Sequence, residues 1–279
     1  MLRILTLMDN SEGAAGTTAE HGLSFLIERK GRFLLFDTGE TGRFLDNARV
    51  LGAGLEAVEA AVISHGHHDH GGGFPPFIER TAFNGPLWTG GGFFDRKWSD
   101  ELPAPRFLGV NFDAAFLEDS HIEHRVVSAP SGGTVSREVC PGVYVVNGFP
   151  RIHAEERQNP RFVVDRGGNR VGDDFREEVC LAIEVGGGLA VVLGCAHPGL
   201  MNMLDAVKES FGKPVVAVFG GSHLVEADGA RLAASVAYLA ASSCRLAALG
   251  HCTGTAGTAA LAGQLPAWKP LKVGSVFRL

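Results

Sequence analysis

The chain has 279 residues, 45% of them hydrophobic and 20% charged, with a formal charge of −6. That balance excludes an intrinsically disordered chain. Its 25 Lys and Arg are scattered, which excludes a nucleic-acid backbone as the primary partner, since phosphate binding needs clustered cations.

Residues 2–7 alternate like a strand with one buried face, and a polar loop over 10–18 follows. Residues 23–29 and 32–36 read as a hairpin turning at Lys30-Gly31 and ending in Asp37-Thr38-Gly39. The spacing of Phe44, Leu45, Ala48 and Leu51 predicts a helix closed by Gly52, and 58–64 is a short apolar strand. Residues 71–98 mix glycine with aromatics and read as ordered loops around a pocket. The stretch 107–127 is ambiguous, 143–147 reads as a strand, and the charged stretch 151–174 reads as a flap or lid.

The last third is clearer. Strands are expected over 179–185 and 189–193, around three glycines, and over 215–219 and 245–249. Helices are expected over 198–211, 227–241 and 258–265, with 273–277 closing a sheet. The apolar runs 189–193 and 215–219 are five residues long against the roughly 20 that span a bilayer, so no membrane partner is expected. The five cysteines are odd in number and hold no CxxC pair. With no charged-then-apolar leader at the start, a reducing cytoplasm is expected. The whole of 1–279 reads as one domain, with a loop-rich insertion around 71–175 as a lid. The oligomeric state is not legible.

Four predicted strands end, within a few residues, in a histidine: His65, His197, His223 and His251. Strand ends are where loops converge to build sites. The densest cluster is Ser64-His65-Gly66-His67-His68-Asp69-His70. His65 and His67 lie two apart and can point into one cavity, while His68 between them faces away. Imidazoles with a carboxylate suit zinc, manganese or iron better than calcium or magnesium. Such groups together without a cation would leave desolvated polar atoms short of partners.

Ser64-His65-x-His67-x-Asp69-His70-x-Gly72-Gly73 resembles the signature of the metallo-β-lactamase superfamily. Leu35-Phe36-Asp37-Thr38-Gly39, about 28 residues upstream, resembles that superfamily's first motif, whose aspartate orients a metal-bound histidine. The resemblance implies an α/β fold, a four-layer αββα sandwich of two mixed sheets with helices outside and the site along one edge. It implies His65, His67 and His197 around one ion, and Asp69, His70 and His251 around a second. The aspartate that usually bridges both ions is absent: the strand gives Gly194-Cys195-Ala196-His197, so either Cys195 bridges or no protein group does. The cofactor expected is one or two Zn2+, with Mn2+, Fe2+ or Mg2+ as alternatives.

The segments Glu20-His21-Gly22, Gly220-Gly221-Ser222-His223 and His251-Cys252-Thr253-Gly254 resemble the branch of the superfamily that includes archaeal dihydropterin phosphate synthase. Three functions follow as expectations, each on a small-molecule substrate. The first is a hydrolase using metal-activated water on a phosphoester, lactone or thioester, with Asp69 orienting the water. The second is a transferase like the pterin enzyme, and the third a non-catalytic ligand sensor. His223 reads as a catalytic acid or substrate contact, and His21 and Arg151 as substrate contacts. Asp37 reads as the group that orients a ligating imidazole. Cys252 reads as a small buried hydrophobe.

Overall fold

The computed structural model describes residues 1–101, 103–129 and 132–279, so residues 102, 130 and 131 of the expected insertion lie outside it. Two seven-stranded mixed sheets face each other. In spatial order the first runs Val276–Arg278, Leu2–Met8, Ser24–Arg29, Arg32–Phe36, Val58–Val62, Leu87–Gly90 and His124–Val127. The second runs Trp268–Pro270, Leu246–Leu249, Val215–Gly220, Gly188–Val192, Val179–Val185, Val143–Asn147 and Val135–Cys140. Each combines antiparallel hairpins with parallel neighbours: Arg32–Phe36 pairs parallel to Val58–Val62, and Gly188–Val192 to Val215–Gly220.

Strand alternation sorts the side chains into layers. Ile4, Phe25, Ile27 and Phe36 meet Val145, Leu181, Val192 and Phe219 between the sheets. Leu5, Leu7 and Leu35, on the outer face of the first sheet, pack against Phe44 and Leu45 of the helix Arg43–Val50 and Phe74 and Phe77 of the helix Phe74–Thr81. Outside the second sheet, Val191 and Leu193 pack with Met203 and Val207 of the helix Leu200–Phe211, Val236 and Leu239 of Gly229–Ala241, and Leu261 of Gly254–Gln264. This is the αββα sandwich. Among the described residues no helix is long and apolar enough to cross a membrane.

Several sequence expectations need correction. Residues 71–98 are not only loops: they hold the helix Phe74–Thr81, started by Pro75 and Pro76 in its first turn, and the strand Leu87–Gly90. Glycine masked the helix in the sequence. The stretch 107–127 resolves into the helix Ala114–Asp119, capped by the Asp113 side chain on the Phe116 N–H, and an edge strand. The expected flap 151–174 contains the hairpin Phe162–Arg166 and Asn169–Gly172, which joins Lys97–Ser99 and Arg106–Phe107 in a third, four-stranded sheet beside the site. The edge strand Val135–Cys140 was not foreseen, and the last helix starts at Gly254 rather than 258.

Candidate metal centre

Parallel strands deliver their C-terminal ends to one edge of the sandwich, the usual ligand-binding edge of α/β sheets. Asp37 follows Arg32–Phe36, and His65 follows Val58–Val62. Cys195 and His197 follow Gly188–Val192, His223 follows Val215–Gly220, and His251 follows Leu246–Leu249. Positive φ angles at Asp37, Phe175, Ala196, His223 and His251 turn the chain sharply here. Non-glycine residues avoid this region unless the surroundings enforce it, and such strain gathers at functional sites.

The 65–70 turn is clamped on both sides. The Thr38 N–H donates to the His70 carbonyl at 2.7 Å, the Leu23 N–H to the Asp69 carbonyl at 3.2 Å, and the His68 N–H to the Leu108 carbonyl at 2.8 Å. Gly66 is required by close approach, since a Cβ there would collide with the Phe93 carbonyl. His68 turns away toward Glu40, at 3.7 Å. Asp37 is fully buried. It accepts from the Ser64 N–H at 2.7 Å, and its Oδ2 lies 2.6 Å from His70 Nδ1, which leaves Nε2 of that ring facing the centre.

Two groups of ligand atoms then meet. His65, His67 and His197 each offer a nitrogen, with the three atoms within 4.8 Å of one another, and all three residues are buried. Burial holds each of these imidazoles well below its ordinary pKa, hence neutral with a lone pair to give. His67 Nε2 and His197 Nε2 are buried without a hydrogen-bond partner among the described residues. Orphaned buried nitrogens are rare in folded proteins, and His65 Nε2 lies only 3.1 Å from His67 Nδ1, so a divalent ion fits among these three rings. The second group is His21, Asp69 and His251. Asp69 Oδ2 lies 3.2 Å from His21 Nε2, 3.3 Å from His251 Nε2 and 3.6 Å from His70 Nε2. Burial would raise the Asp69 pKa, but His70, His21 and His251 outweigh it and hold the carboxyl well below its usual range. Cys195 Sγ sits 3.1 Å from His70 Nε2, where it also forms a ligand group with His65 and His70.

Several groups that support these ligands left no signal in the sequence. Asp9 accepts the His251 N–H at 2.8 Å and Asn10 Oδ1 lies 2.8 Å from His251 Nδ1, so the loop after the first strand orients that ring. The buried Glu178 accepts the N–H groups of Ala196 and His197 at 2.7 and 2.9 Å; burial pushes its carboxyl well above its ordinary pKa. Phe175 stacks on the His197 ring, with centroids 3.7 Å apart. His223 Nδ1 is 3.6 Å from Glu226, its ring 4.3 Å from that of His197, and burial lowers its pKa to about 3.

The cavity at the centre is about 150 Å³, lined by His21, His67, Asp69, Cys195, His197, His223 and His251, with Arg106, Arg161 and Phe162 toward its mouth. Arg151 is a correction: it does not line this cavity. Its guanidinium is committed to Gln158 Oε1 at 2.8 Å and the Asp174 carbonyl at 2.6 Å. His21 reaches the centre, but as a neighbour of Asp69 within ligand range.

A two-sheet sandwich with a histidine-rich edge of this kind is the fold of the metallo-β-lactamases, and residues 17–135 match the family model described as the metallo-beta-lactamase superfamily. Over its full length the chain superposes on the crystal structure of Tm1679, a metal-dependent hydrolase of the beta-lactamase superfamily, with a TM-score of 0.86 and 26% identity, covering 100% of this chain and 99% of that one. It is 28% identical over 267 residues to the 7,8-dihydropterin-6-methyl-4-(beta-D-ribofuranosyl)-aminobenzene-5'-phosphate synthase of Methanocaldococcus jannaschii, covering 91% of this chain and 88% of that relative. A more distant relative is ribonuclease Z of Methanosarcina acetivorans, 26% identical over 197 residues, 61% of this chain and 62% of that one.

Proposed function

We propose that the chain is a metal-dependent hydrolase of a small anionic substrate, with a phosphoester favoured over a lactone or thioester. The observation that carries the reading is the convergence of three buried imidazoles, His65, His67 and His197, whose nitrogens lie within 4.8 Å of one another, beside the group of His21, Asp69 and His251. His65, His67 and His197 would hold one ion, and Asp69, His251 and His70 or His21 a second. A bound divalent ion supplies Lewis-acid polarisation of the bond under attack and acidifies water from about 15.7 toward about 7.

The protein's own residues supply the rest. Asp69, held anionic by His21, His70 and His251, orients the attacking water and accepts its proton through Oδ2. Arg106, exposed and with no ion pair among the described residues, lines the cavity and offers a cation to an anion, while Arg161, also lining it, is paired with Glu101 and Glu226. Phe162 and Phe175 wall the histidines against solvent. A cavity of about 150 Å³ admits the reacting group, while the remainder of a larger substrate lies outside.

A second reading is supported by the pterin relative: group transfer that joins a dihydropterin-methyl unit to a ribofuranosyl-aminobenzene phosphate. One experiment separates the two. The metal-loaded chain is incubated with phosphodiesters, lactones, thioesters and a pterin methyl diphosphate, the last with and without amine acceptor. Acceptor-independent hydrolysis, lost in His67→Ala together with bound metal, supports the hydrolase. Coupled product with little hydrolysis overturns it in favour of the transferase. Intact substrates throughout, with fully metallated protein, overturn both.

A further inference from the structure

The five cysteines fall into two kinds. Cys140 and Cys180 sit within the apolar cores, and Cys244 packs at the edge of one. Cys195 and Cys252 are equally buried but belong to none of the apolar clusters, and they face the centre and each other. We propose that Cys195, His251 and Cys252 form a thiolate-rich ion position within the centre, one that takes a thiophilic divalent ion of the zinc class in preference to magnesium. It reverses the sequence reading of Cys252 as a small apolar filler.

The geometry fits such an ion. The two sulfurs and a His251 nitrogen lie within 4.8 Å of one another. Tetrahedral zinc, with Zn–S of about 2.3 Å and Zn–N of about 2.0–2.1 Å, wants its ligand atoms roughly 3.3–3.8 Å apart, so a small closure around the ion suffices. Cys252 Sγ accepts the His223 N–H at 3.3 Å, a contact that favours the thiolate. Its other contact is the Cys195 carbonyl at 3.5 Å, a weak one that an ion would replace. Room for the sulfur is made by Gly221, where a Cβ would collide with Cys252 Sγ and the Gly194 carbonyl. Asn10 occupies Nδ1 of His251 and so leaves Nε2 as the donor. Each thiol gives its proton to solvent as its sulfur–metal bond forms, and no oxidant or reductant is involved. Two soft ligands beside one imidazole select zinc, cadmium or cobalt over the oxygen-seeking Mg2+.

The inference rests on the reading of this edge as a metal centre, and its test reads ligation rather than turnover. Metal-stripped full-length protein is titrated with Cd2+ and, separately, Co2+, following the thiolate-to-metal charge-transfer band and ions bound per chain by mass spectrometry. Wild type should show the band at an intensity per bound ion that reports two thiolates. Cys252→Ser and Cys195→Ser should each lose about half of it, and the double variant all of it while still binding an ion at His65, His67 and His197. His67→Ala should keep the band. Full intensity in Cys252→Ser, or ions bound to wild type with no band, would overturn the proposal. The wild-type intensity decides the matter even if a variant fails to fold. Absence of turnover on every substrate would sink the hydrolase reading and leave the band, and this proposal, untouched.

Discussion

Lys97 is fully buried on the third sheet, with its ammonium 2.8 Å from Glu177 Oε1 and 3.6 Å from Asp173 Oδ2, both also buried. Replacing it with methionine keeps most of the volume and strands two carboxylates. Removing one partner of a buried ion pair costs about 3–5 kcal/mol. At roughly 2–4 °C per kcal/mol for a chain of this size class, the melting temperature of Lys97→Met should fall by about 6–20 °C. The pH dependence has a definite sign. Burial lowers the Lys97 pKa, but Glu177 and Asp173 outweigh it and raise the value above 10.5, so the lysine's contribution is complete at pH 7 and is lost only as pH rises through that raised value. In the variant the unpaired carboxylates take up protons as pH falls, so the stability gap to wild type should narrow between pH 7 and pH 5. Adding Glu177→Gln should recover part of the loss. Urea unfolding at both pH values measures this. A loss below about 1 kcal/mol at pH 7, or a gap that widens on acidification, would refute the reasoning.

Other expectations follow from single contacts. His67→Ala should lower bound metal and abolish hydrolysis, with little change in the far-ultraviolet circular dichroism of the metal-free protein; mass spectrometry and the substrate panel check it. Gly66→Ala drives a methyl into the Phe93 carbonyl and should cost about 1–3 kcal/mol, with weakened metal retention, measured by unfolding and metal content. Phe77→Ala empties a site packed against Phe44, Phe74 and Phe83 and should cost about 3–5 kcal/mol in denaturant unfolding, leaving the metal-to-protein ratio unchanged. Asp205 is partly buried, but His153, Tyr238 and Lys208 outweigh burial and hold its pKa below 3.8. Its contribution is therefore present above 3.8 and lost as pH falls through the lowered value, so the urea midpoints of wild type and Asp205→Asn should converge only in strong acid.

How much of this was legible in the sequence depended on locality. The His65–His70 cluster and Asp37 announce themselves because their spacing along one turn and one strand end carries the chemistry directly. The strand-ending histidines at 197, 223 and 251 were legible because apolar runs fix where strands stop. The helix Phe74–Thr81 was obscured by the glycines before it, which are there for close backbone approach: a Cβ at Gly72 or Gly73 would strike the carbonyls of Glu40 or Thr38. Asn10, Glu178 and Phe175 were invisible because their roles come from tertiary contacts with no sequence spacing. Arg151 misled for the same reason: it is a plausible anion clamp by type, but its neighbours Gln158 and Asp174 claim it, while Arg106 and Arg161 reach the cavity from the start of one strand and the approach to another in the third sheet, which the sequence did not show.

The division of the ligands by charge bears on what the centre can accept. The His65, His67 and His197 group is neutral, because burial disfavours three imidazolium ions in one place. The carboxylate lies on the other side, where Asp69 groups with His21 and His251, and His251 groups in turn with the two thiols. With a divalent ion in each position and both thiols ionised, the protein would supply three negative charges against four positive. That leaves about one positive charge in a low-dielectric cavity that Arg106 also lines. An anionic substrate is then drawn in by the centre itself, while a neutral lactone gains nothing from that excess. If only the imidazole position were filled, no sulfur–metal bond would draw the thiol protons off, and Asp69 alone would face that ion, again leaving about one positive charge. Under the proposed reading the pull on an anionic substrate is therefore the same with one position filled or both, and the thiol-bearing position bears on which metal is held rather than on the charge the substrate meets.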